Sequence, residues 1–468
     1  MVVILDTGSS DLYFDANNAS ACQTTGPYSC RGGTFIPGNS KSYKIVDSYP
    51  AFNTSFGDGS TAVGPFSEDV FGIGDVMIDN VQFGVAEDVN STSGYAVNLM
   101  GIGYSENEAT EHIYPNIPEI LRDTGVINSR LYSIYLNDES EISGTILFGG
   151  IDTSKYTGEL ATIDFLPTVI EDEILGITQF ITTVTALSAT VGGKAQNLFS
   201  GGSNDAEQVY GNSPTSLAVL LDTGSSAWSL DEDTYNELIA PIFTYVDSNG
   251  LCACSNRENS DSVTLTFGTK VNITVPAREF IVPLYNSTTN EAIPYSASED
   301  ACAFMITPQS PTGEGFQTLG DAILRSMYVV FDLDNGQVSI AQAAVNSTKA
   351  SNILTVSAGS SGVASAISTS YSAAPTNTWS IAPEVHNATA AFSVSTAQST
   401  IGVATGTAAV PADAQVSDDG SAGATSTGKP KKSKGAAAGL VTPGIDWSGF
   451  WTTGVAVMMA ALGMGIML

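Results

Sequence analysis

The pentapeptide Asp-Thr-Gly-Ser-Ser occurs twice in this 468-residue chain, at residues 6–10 and again at residues 222–226. Such a string arises by chance about once in a million start positions at average residue usage, so the two copies are related. Each copy offers one carboxylate, Asp6 or Asp222, and two carboxylates about 3 Å apart share one proton because both cannot ionise at low cost. The charged member of such a pair can take a proton from water while the neutral member donates one to a carbonyl oxygen. This is the chemistry that peptide-bond hydrolysis requires.

The other residues of the two copies suit a supporting role around the carboxylates. Threonine hydroxyls can hydrogen-bond across to the opposite strand, glycines permit close backbone approach, and serines can orient the outer carboxylate oxygens. One copy alone could be only a turn, because Asp and Gly are ordinary turn residues, but a matched pair argues against that interpretation. The predicted supporting residues are Thr7, Gly8, Ser9, Thr223, Gly224 and Ser225.

Short apolar runs at residues 2–5 and 217–221 precede the two copies, which predicts two buried strands that each deliver one aspartate at their end. Many further runs of Val, Ile, Thr, Tyr and Phe are separated by Gly, Asn, Asp and Ser, as around residues 81–86 and 263–268. This pattern predicts an all-β protein with few short helices. The segments that favour helices are residues 117–123 and 233–239.

With these motifs the chain resembles the pepsin-like aspartic endopeptidases, and among them the fungal yapsin type. The resemblance covers about residues 1–345. Besides the two Asp-Thr-Gly-Ser segments, it includes a strand behind the first aspartate, an inter-lobe segment and the end of a second lobe, at residues 99–104, 144–158 and 319–332.

The resemblance implies a bilobal pepsin-like acid protease fold, in which two lobes are related by a pseudo-twofold axis. The lobes would span residues 1–160 and 161–345, and Asp6 and Asp222 would be the catalytic residues. The expected substrates are proteins or peptides, and the expected state is a monomer. No cofactor and no metal is expected.

The resemblance also implies a flap, a hairpin that closes over the substrate, with Phe56, Gly57 and Asp58 as substrate-binding residues. Relatives carry Tyr-Gly-Asp-Gly or Tyr-Gly-Thr-Gly where this chain has Phe-Gly-Asp-Gly. Phe56 keeps the ring but lacks the hydroxyl that anchors the flap, a loss of about 0.5 to 1.5 kcal/mol. We therefore expect reduced turnover that Phe56→Tyr raises.

Asp58 has two interpretations. It suits a turn between two glycines, and in fungal relatives an acidic residue here accompanies acceptance of Lys or Arg just before the cleaved bond. The second interpretation predicts a preference for basic residues at that position.

Composition excludes several other functions. The chain has 48 acidic and 16 basic residues, and the resulting net charge of −32 disfavours nucleic acid as a partner. A Ser-His-Asp arrangement has a single plausible base, His112, because His386 lies in a low-complexity tail. Neither the spacing of a zinc-binding helix nor a phosphate-binding glycine loop occurs.

Cysteines and glycosylation signals indicate an oxidising compartment. Cys22 would pair with Cys30, and Cys302 would pair with Cys252 or Cys254, of which we prefer Cys254. Seven Asn-x-Ser/Thr sequons predict N-glycosylation at Asn18, Asn53, Asn90, Asn272, Asn286, Asn346 and Asn387.

The C-terminal quarter changes character. Residues 346–434 are rich in Ser, Thr and Ala, which predicts a disordered, O-glycosylated stalk. Residues 435–468 combine small residues, a spacer and an apolar tail, the pattern of a glycosylphosphatidylinositol (GPI) attachment signal, with Gly435 or Ala436 as the attachment residue. A retained membrane helix is the alternative, because nineteen apolar residues nearly span a bilayer.

These features predict a cell-surface protein, at the plasma membrane or in the cell wall. No signal peptide precedes the strand that carries Asp6, and relatives have a propeptide and an initial hairpin before it. We therefore expect that the sequence is truncated at its N-terminus. Two functions follow: an acid endopeptidase, or a catalytically weak or inactive GPI-anchored surface glycoprotein that binds peptides.

Overall fold

The structure is a computed structural model. It describes residues 1–23, 30–46, 51–91, 96–110, 112–141, 143–170, 173–200, 216–268, 271–286, 289–309, 316–372, 379–380, 405–409 and 465–467. Strands dominate these residues, as the short β-branched and aromatic runs predicted.

In the first half of the chain the strands are β1 (Val2–Asp6), β2 (Leu12–Asp15), β3 (Lys44–Ile45), β4 (Phe52–Ser55), β5 (Thr61–Gly64), β6 (Phe66–Ile73), β7 (Val76–Ala86), β8 (Asp88–Asn90), β9 (Asn98–Gly101), β10 (Leu131–Tyr135), β11 (Ser143–Phe148), β12 (Gly150–Asp152), β13 (Tyr156–Asp164), β14 (Thr168–Ile170), β15 (Glu173–Gly176), β16 (Ile181–Val191) and β17 (Lys194–Ser200).

In the second half they are β18 (Leu217–Leu221), β19 (Trp228–Asp231), β20 (Leu251–Ala253), β21 (Ser262–Phe267), β22 (Val271–Pro276), β23 (Ile281–Pro283), β24 (Ala301–Phe304), β25 (Ile306–Gln309), β26 (Gln317–Leu319), β27 (Met327–Asp332), β28 (Gln337–Ala343), β29 (Ile353–Thr355), β30 (Ser370–Ser372), β31 (Trp379–Ser380), β32 (Thr405–Ala409) and β33 (Gly465–Met467). The α-helices are α1 (Ile117–Asp123), α2 (Glu232–Thr234), α3 (Ala277–Phe280) and α4 (Asp321–Leu324). A π-helical turn spans Tyr235–Ile239, and 3₁₀ turns span Ser20–Gln23, Pro37–Asn39, Ser105–Asn107, Cys254–Glu258 and Gly362–Ser365.

Three large sheets organise the fold. The first has the order β3-β6-β7-β2-β9-β1-β33, and the second has the order β22-β21-β16-β18-β26-β19-β25, with β17 beside β16. The third, β30-β13-β28-β27-β10-β11-β32, mixes strands from both halves, since β10 pairs with β27. The expected all-β, bilobal pepsin-like fold is confirmed.

The first two sheets repeat one local arrangement around the two motif copies. Strand β1 runs parallel to β9 with Asp6 opposite Gly101, and β18 runs parallel to β26 with Leu221 opposite Leu319. Strands β9 and β26 then pair antiparallel with β2 and β19, the strands that follow the two motifs. The pseudo-twofold relation expected from the repeated pentapeptide is therefore present in the strand pairing.

The two helical predictions also match. Helix α1 covers residues 117–123, and α2 with the π-helical turn covers residues 232–239. Asp231 starts the second helical segment because its carboxylate accepts a hydrogen bond of 2.9 Å from the Thr234 backbone N–H, which satisfies an otherwise unpaired donor at the helix start.

The expected stalk does not begin at residue 346. Val356 and Val363 are buried, and β29 pairs with β12. Asp152 accepts hydrogen bonds from the Ser351 hydroxyl (2.5 Å) and the Asn352 backbone N–H (3.0 Å). A few apolar side chains and one buried acceptor thus hold residues 346–372 on the folded body, although the composition of this segment predicts disorder.

Both expected disulfides are present, Cys22–Cys30 and Cys254–Cys302. Cys252 is a buried thiol whose pKa burial raises to about 12, so it is a poor nucleophile. The predicted N-glycosylation residues Asn18, Asn53, Asn90, Asn272 and Asn346 are exposed, and Asn286 is half-buried. Asn387, Gly435 and Ala436 lie outside the described residues.

Candidate active site

The two motif aspartates occupy equivalent turns. Asp6 ends β1 and Asp222 follows β18. The Gly8 backbone N–H donates to Oδ1 of Asp6 at 2.7 Å, and the Gly224 backbone N–H donates to Oδ1 of Asp222 at 2.8 Å. Each carboxylate is thus fixed by its own turn, as expected where an Asp side chain bonds the backbone two residues later.

Reciprocal threonine contacts lock the two turns together. The Thr7 hydroxyl donates to the Leu221 carbonyl, and the Thr223 hydroxyl donates to the Leu5 carbonyl, both at 2.7 Å. The two hydroxyl oxygens also accept the opposite backbone N–H groups, from Thr223 at 2.9 Å and from Thr7 at 3.2 Å. Because these groups are buried, losing one partner would leave an unsatisfied polar atom at the centre of the molecule. Both threonine hydroxyls therefore hydrogen-bond across to the opposite strand, as the residue types predict.

The motif glycines bring each backbone against the opposite carboxylate. A Cβ atom added to Gly8 would lie 2.6 Å from Oδ1 of Asp222, and one added to Gly224 would lie 2.7 Å from Cγ of Asp6. Real Cβ contacts are essentially never shorter than 3.0 Å. The absence of a side chain at both positions therefore allows the two aspartates to converge.

The two serines do not act alike. The Ser9 hydroxyl donates to Oδ2 of Asp6 at 2.5 Å, as expected. The Ser225 hydroxyl instead donates to the Ala227 carbonyl at 3.3 Å, so it does not orient the outer oxygen of Asp222. The expectation for Ser225 was wrong because its hydroxyl finds a backbone acceptor within its own turn.

Burial and the neighbouring carboxylate determine the electrostatics of Asp222. Burial raises the pKa of Asp222 well above its usual range, and the charge of Asp6 and a hydrogen bond shared with Asp6 raise it further. The buried Asp321 adds to the effect, while the Gly224 backbone N–H acts in the opposite sense. Asp222 therefore keeps its proton to a higher pH than an ordinary aspartic acid does.

The predicted flap is the hairpin of β4 and β5, with its tip at residues 56–60. Asp58 shapes this tip, because its carboxylate accepts hydrogen bonds from the Ser60 backbone N–H (2.8 Å) and hydroxyl (2.7 Å). Gly59 turns the chain with φ at +83°, a left-handed conformation that favours glycine. Phe56 is half-buried, and its ring centroid lies 6.3 Å from that of Tyr13.

Sequence reasoning missed three residues near the aspartates. Tyr13 lies on β2 against Phe56 of the flap tip. The Asn107 side chain donates to the Gly8 carbonyl at 3.4 Å, and the Gln179 side chain donates to Asn107 at 3.3 Å. An aromatic residue shortly after the first motif could have indicated Tyr13. No local sequence pattern indicates Asn107 or Gln179, because only the folding of the chain brings these two residues together.

One group of three potential metal ligands occurs within the described ranges, formed by Asp15, Cys22 and Cys30. Both sulfur atoms of this group form the first disulfide, so neither is a thiolate that could bind a metal ion. The chemistry of the site therefore rests on Asp6 and Asp222.

Comparison with known proteins identifies the family of the chain. The family model described as "Eukaryotic aspartyl protease" matches residues 1–343. The chain is 33% identical over 378 residues to a probable aspartic-type endopeptidase opsB of Aspergillus fumigatus, covering 79% of this chain and 71% of the relative. It is 33% identical over 359 residues to Candidapepsin-3 of Candida albicans, covering 75% of this chain and 78% of the relative. The chain therefore belongs to the pepsin-like eukaryotic aspartyl protease family.

Proposed function

We propose that this aspartic endopeptidase cleaves proteins at acid pH with Asp6 and Asp222 as its catalytic pair. The observation that carries the proposal is the reciprocal packing of the two turns, in which each motif glycine faces the opposite carboxylate. The buried threonine contacts make this arrangement rigid. Two rigid, proton-sharing carboxylates are what acid–base hydrolysis without a covalent intermediate requires.

The two carboxylates take complementary roles in the proposed reaction. Asp6 accepts a proton from a water molecule bound between the carboxylates, and that water attacks the peptide carbonyl carbon. Asp222 donates its proton to the carbonyl oxygen, which stabilises the tetrahedral intermediate. Asp6 then passes the proton taken from water to the leaving nitrogen, and Asp222 regains its proton from the hydroxyl of the intermediate as the carbonyl re-forms. The pair finishes the cycle in its starting state.

Hydrolysis of a mixed peptide library at pH 4, with and without pepstatin, tests this function. We expect cleavage that pepstatin blocks. A folded chain that cleaves no peptide would instead favour the second candidate, a GPI-anchored surface glycoprotein that binds peptides with little or no catalysis. The observation behind that candidate is Phe56, which lacks the flap hydroxyl found in relatives.

The glycine contacts give a separate prediction. Gly8→Ala and Gly224→Ala should each lower kcat by about 100-fold, because the added methyl group pushes the opposite carboxylate out of position. Steady-state kinetics on one library-derived peptide measures the effect. Gly38→Ala is the matched control, since a Cβ there meets nothing within 4 Å. Wild-type kcat in either motif variant would contradict the assigned geometry.

We further propose that Asp58 favours Lys or Arg just before the cleaved bond. The support is its place at the flap tip, where it lies beside the residues that would cover a bound substrate. Asp58→Ala should lower the ratio of kcat/KM for Lys over Leu at that position by about threefold to tenfold. Paired peptides that differ only there measure the ratio, with exposed Asp75→Ala as the control. An unchanged ratio in Asp58→Ala would leave Asp58 with its turn role alone.

For location we propose a yapsin-like arrangement, with the enzyme at the cell surface on a stalk and a GPI anchor at Gly435 or Ala436. The support is the Ser/Thr/Ala-rich composition after residue 372, followed by small residues and an apolar tail. Among the described residues, no helix is long and apolar enough to cross a membrane. Phosphatidylinositol-specific phospholipase C should release active enzyme from intact cells, and enzyme that stays bound would count against the anchor.

A further inference from the structure

The second half of the chain carries three cysteines on or next to two neighbouring strands, β20 and β24. Cys302 of β24 forms a disulfide with Cys254, which directly follows β20, and Cys252 lies within β20 as a thiol. In the antiparallel pairing of these strands, the residue directly opposite Cys302 is Cys252 and not Cys254. The thiol is therefore the cross-strand neighbour of one member of an existing disulfide.

Both pairings meet the distance that a disulfide requires. The Cα atoms of Cys254 and Cys302 are 5.0 Å apart. Directly opposite residues of an antiparallel pair have Cα atoms about 4.5 to 5.5 Å apart, and disulfides span Cα distances of about 4.4 to 6.8 Å. Cys252 and Cys302 are both fully buried in one core cluster. A bond between them therefore requires no change in the register of β20 and β24.

The present disulfide fixes a turn that joins distant segments. Cys254 begins the 3₁₀ turn Cys254–Glu258, which carries Arg257. The Arg257 guanidinium donates to the Glu139 carboxylate at 2.8 Å, in the connection between β10 and β11. The bond from Cys254 to Cys302 thus tethers the turn that holds this ion pair.

We propose that Cys252 is an alternative partner of Cys302, so that thiol–disulfide exchange moves the bond from Cys254 to Cys252 and releases the turn that carries Arg257. The Cys252 thiol loses its proton to solvent, its sulfur attacks Sγ of Cys302, and Cys254 leaves as a thiolate that takes up a proton. One S–S bond forms and one breaks, so no external oxidant or reductant is consumed. The inference is independent of the proposed function.

The surroundings of Cys252 keep this exchange slow in the folded protein. Burial and the charge of Asp247 raise the pKa of the thiol to about 12, and the phenols of Tyr245 and Tyr295 also interact with it electrostatically. Only a thiolate attacks a disulfide, and below the pKa its population falls about tenfold for each pH unit. The bond is therefore expected to move at pH 8 and to stay fixed in acid.

A role in packing alone is the competing explanation, because a buried cysteine also serves as a small apolar side chain. Cys254→Ser separates the two explanations. We expect the folded variant to carry a disulfide between Cys252 and Cys302, whereas a packing role leaves both as thiols. Thiol titration in acid urea and mass-spectrometric mapping without reduction measure the outcome. Cys252→Ser is the matched control and should keep the bond between Cys254 and Cys302.

The unmodified chain tests the exchange even if Cys254→Ser does not fold. It is incubated at pH 4 or pH 8 with pepstatin and without denaturant, and its thiols are then alkylated in acid urea, which stops further exchange. We expect the alkyl label to move from Cys252 to Cys254 within hours at pH 8 and to stay on Cys252 at pH 4.

Glu139→Gln tests the release of the turn. It should lower the Tm of the unmodified chain by about 2 to 4 °C. In the Cys254→Ser background its effect should be less than half as large, because the released turn no longer holds Arg257 in place. Equal effects in both backgrounds would show that the ion pair does not depend on the disulfide, and would overturn the release.

Two results overturn the alternative pairing: two thiols in folded Cys254→Ser, or a label that stays on Cys252 in the unmodified chain at pH 8. A label on Cys302 would also overturn it, because the thiol would then have attacked Cys254 instead. These readouts identify thiols and melting temperatures, so they do not depend on whether the chain cleaves peptides.

Discussion

Asp6→Asn and Asp222→Asn should each lower kcat for peptide hydrolysis by at least about 10³-fold, because acid–base catalysis by a positioned group contributes about 10²- to 10⁴-fold and the pair works as a unit. An asparagine at residue 6 cannot accept the proton of the attacking water. At residue 222 it cannot supply the proton that burial and the charge of Asp6 keep on Asp222. Initial rates at pH 4 on a peptide selected from the library measure both effects.

These two variants should remain folded. The amide oxygen of asparagine can still accept the hydrogen bonds from Gly8 and Gly224, which are neutral backbone donors. Asp75→Asn is the matched control, since Asp75 is exposed in the turn between β6 and β7 and should leave kcat unchanged. A folded Asp6→Asn or Asp222→Asn protein that keeps a tenth of the wild-type kcat would disprove the catalytic assignment.

The free energy of unfolding should fall steeply between about pH 4 and pH 8. Burial raises the pKa of Asp15, Asp321 and Glu279 to about 7 and that of Asp332 to about 6. In the unfolded chain the aspartates lose their protons near pH 3.8 and the glutamate near 4.5. Between these values the folded state binds more protons, so rising pH favours unfolding.

Other carboxyls limit stability on the acid side. Burial tends to raise the pKa of Asp69, Asp138 and Asp152, but hydrogen bonds, and for Asp138 also the charges of Arg278 and Arg257, outweigh it and lower the pKa. These groups therefore stabilise the fold above about pH 4 and lose that contribution as the pH falls through their folded pKa. The two sets act in opposite senses. Maximum stability is therefore expected near pH 4 to 5, the range in which the proposed catalysis operates.

Asp15 provides the sharpest test of the loss of stability that is expected as the pH rises from 4 to 8. Neither of its carboxylate oxygens has a hydrogen-bond partner among the described residues, and its side chain is fully buried. A shift of about three pH units corresponds to at most about 4 kcal/mol between pH 4 and pH 8. Asp15→Asn should leave stability at pH 4 nearly unchanged and raise it at pH 8 by about 2 to 4 kcal/mol.

Urea unfolding at pH 4, 6 and 8 measures this change. Asp152→Asn is a control of opposite sign, because Asp152 accepts hydrogen bonds from Ser154, Ser351 and Asn352 that stabilise its charged form. That variant should lose stability at pH 6 and above. If Asp15→Asn keeps the wild-type slope of stability against pH, its burial does not cause the loss.

The repeated pentapeptide predicts much of this molecule because the fold uses it twice in the same way. The strands that lead into the two copies have equivalent partners. The threonines and glycines of the two copies meet across the pseudo-twofold axis, as the residue types predict. Identical letters nevertheless do not guarantee identical contacts. Ser225 bonds to Ala227 where its counterpart Ser9 bonds to an aspartate, a choice made by the shape of each turn.

Other features lie beyond sequence patterns because they depend on contacts between distant segments. Tyr13 gains its place under Phe56 only when the flap hairpin folds back over β2. Residues 346–372 have the composition of a linker, yet Val356 enters a core built from β10, β12, β13, β27 and β28. Local composition describes the average behaviour of such a segment, whereas a few buried side chains and the shared acceptor Asp152 hold it on the folded body.

The reciprocal hydrogen bonds of Thr7 and Thr223 also determine when catalysis can begin during synthesis of the chain. Thr7 needs the carbonyl of Leu221, and β10 needs β27, so neither half of the chain can complete the site alone. The two motifs are 216 residues apart, which at about 5 to 20 residues per second separates their emergence from the ribosome by roughly 10 to 40 seconds. Throughout that interval the first aspartate lacks its partner, so the nascent chain cannot digest itself or its neighbours.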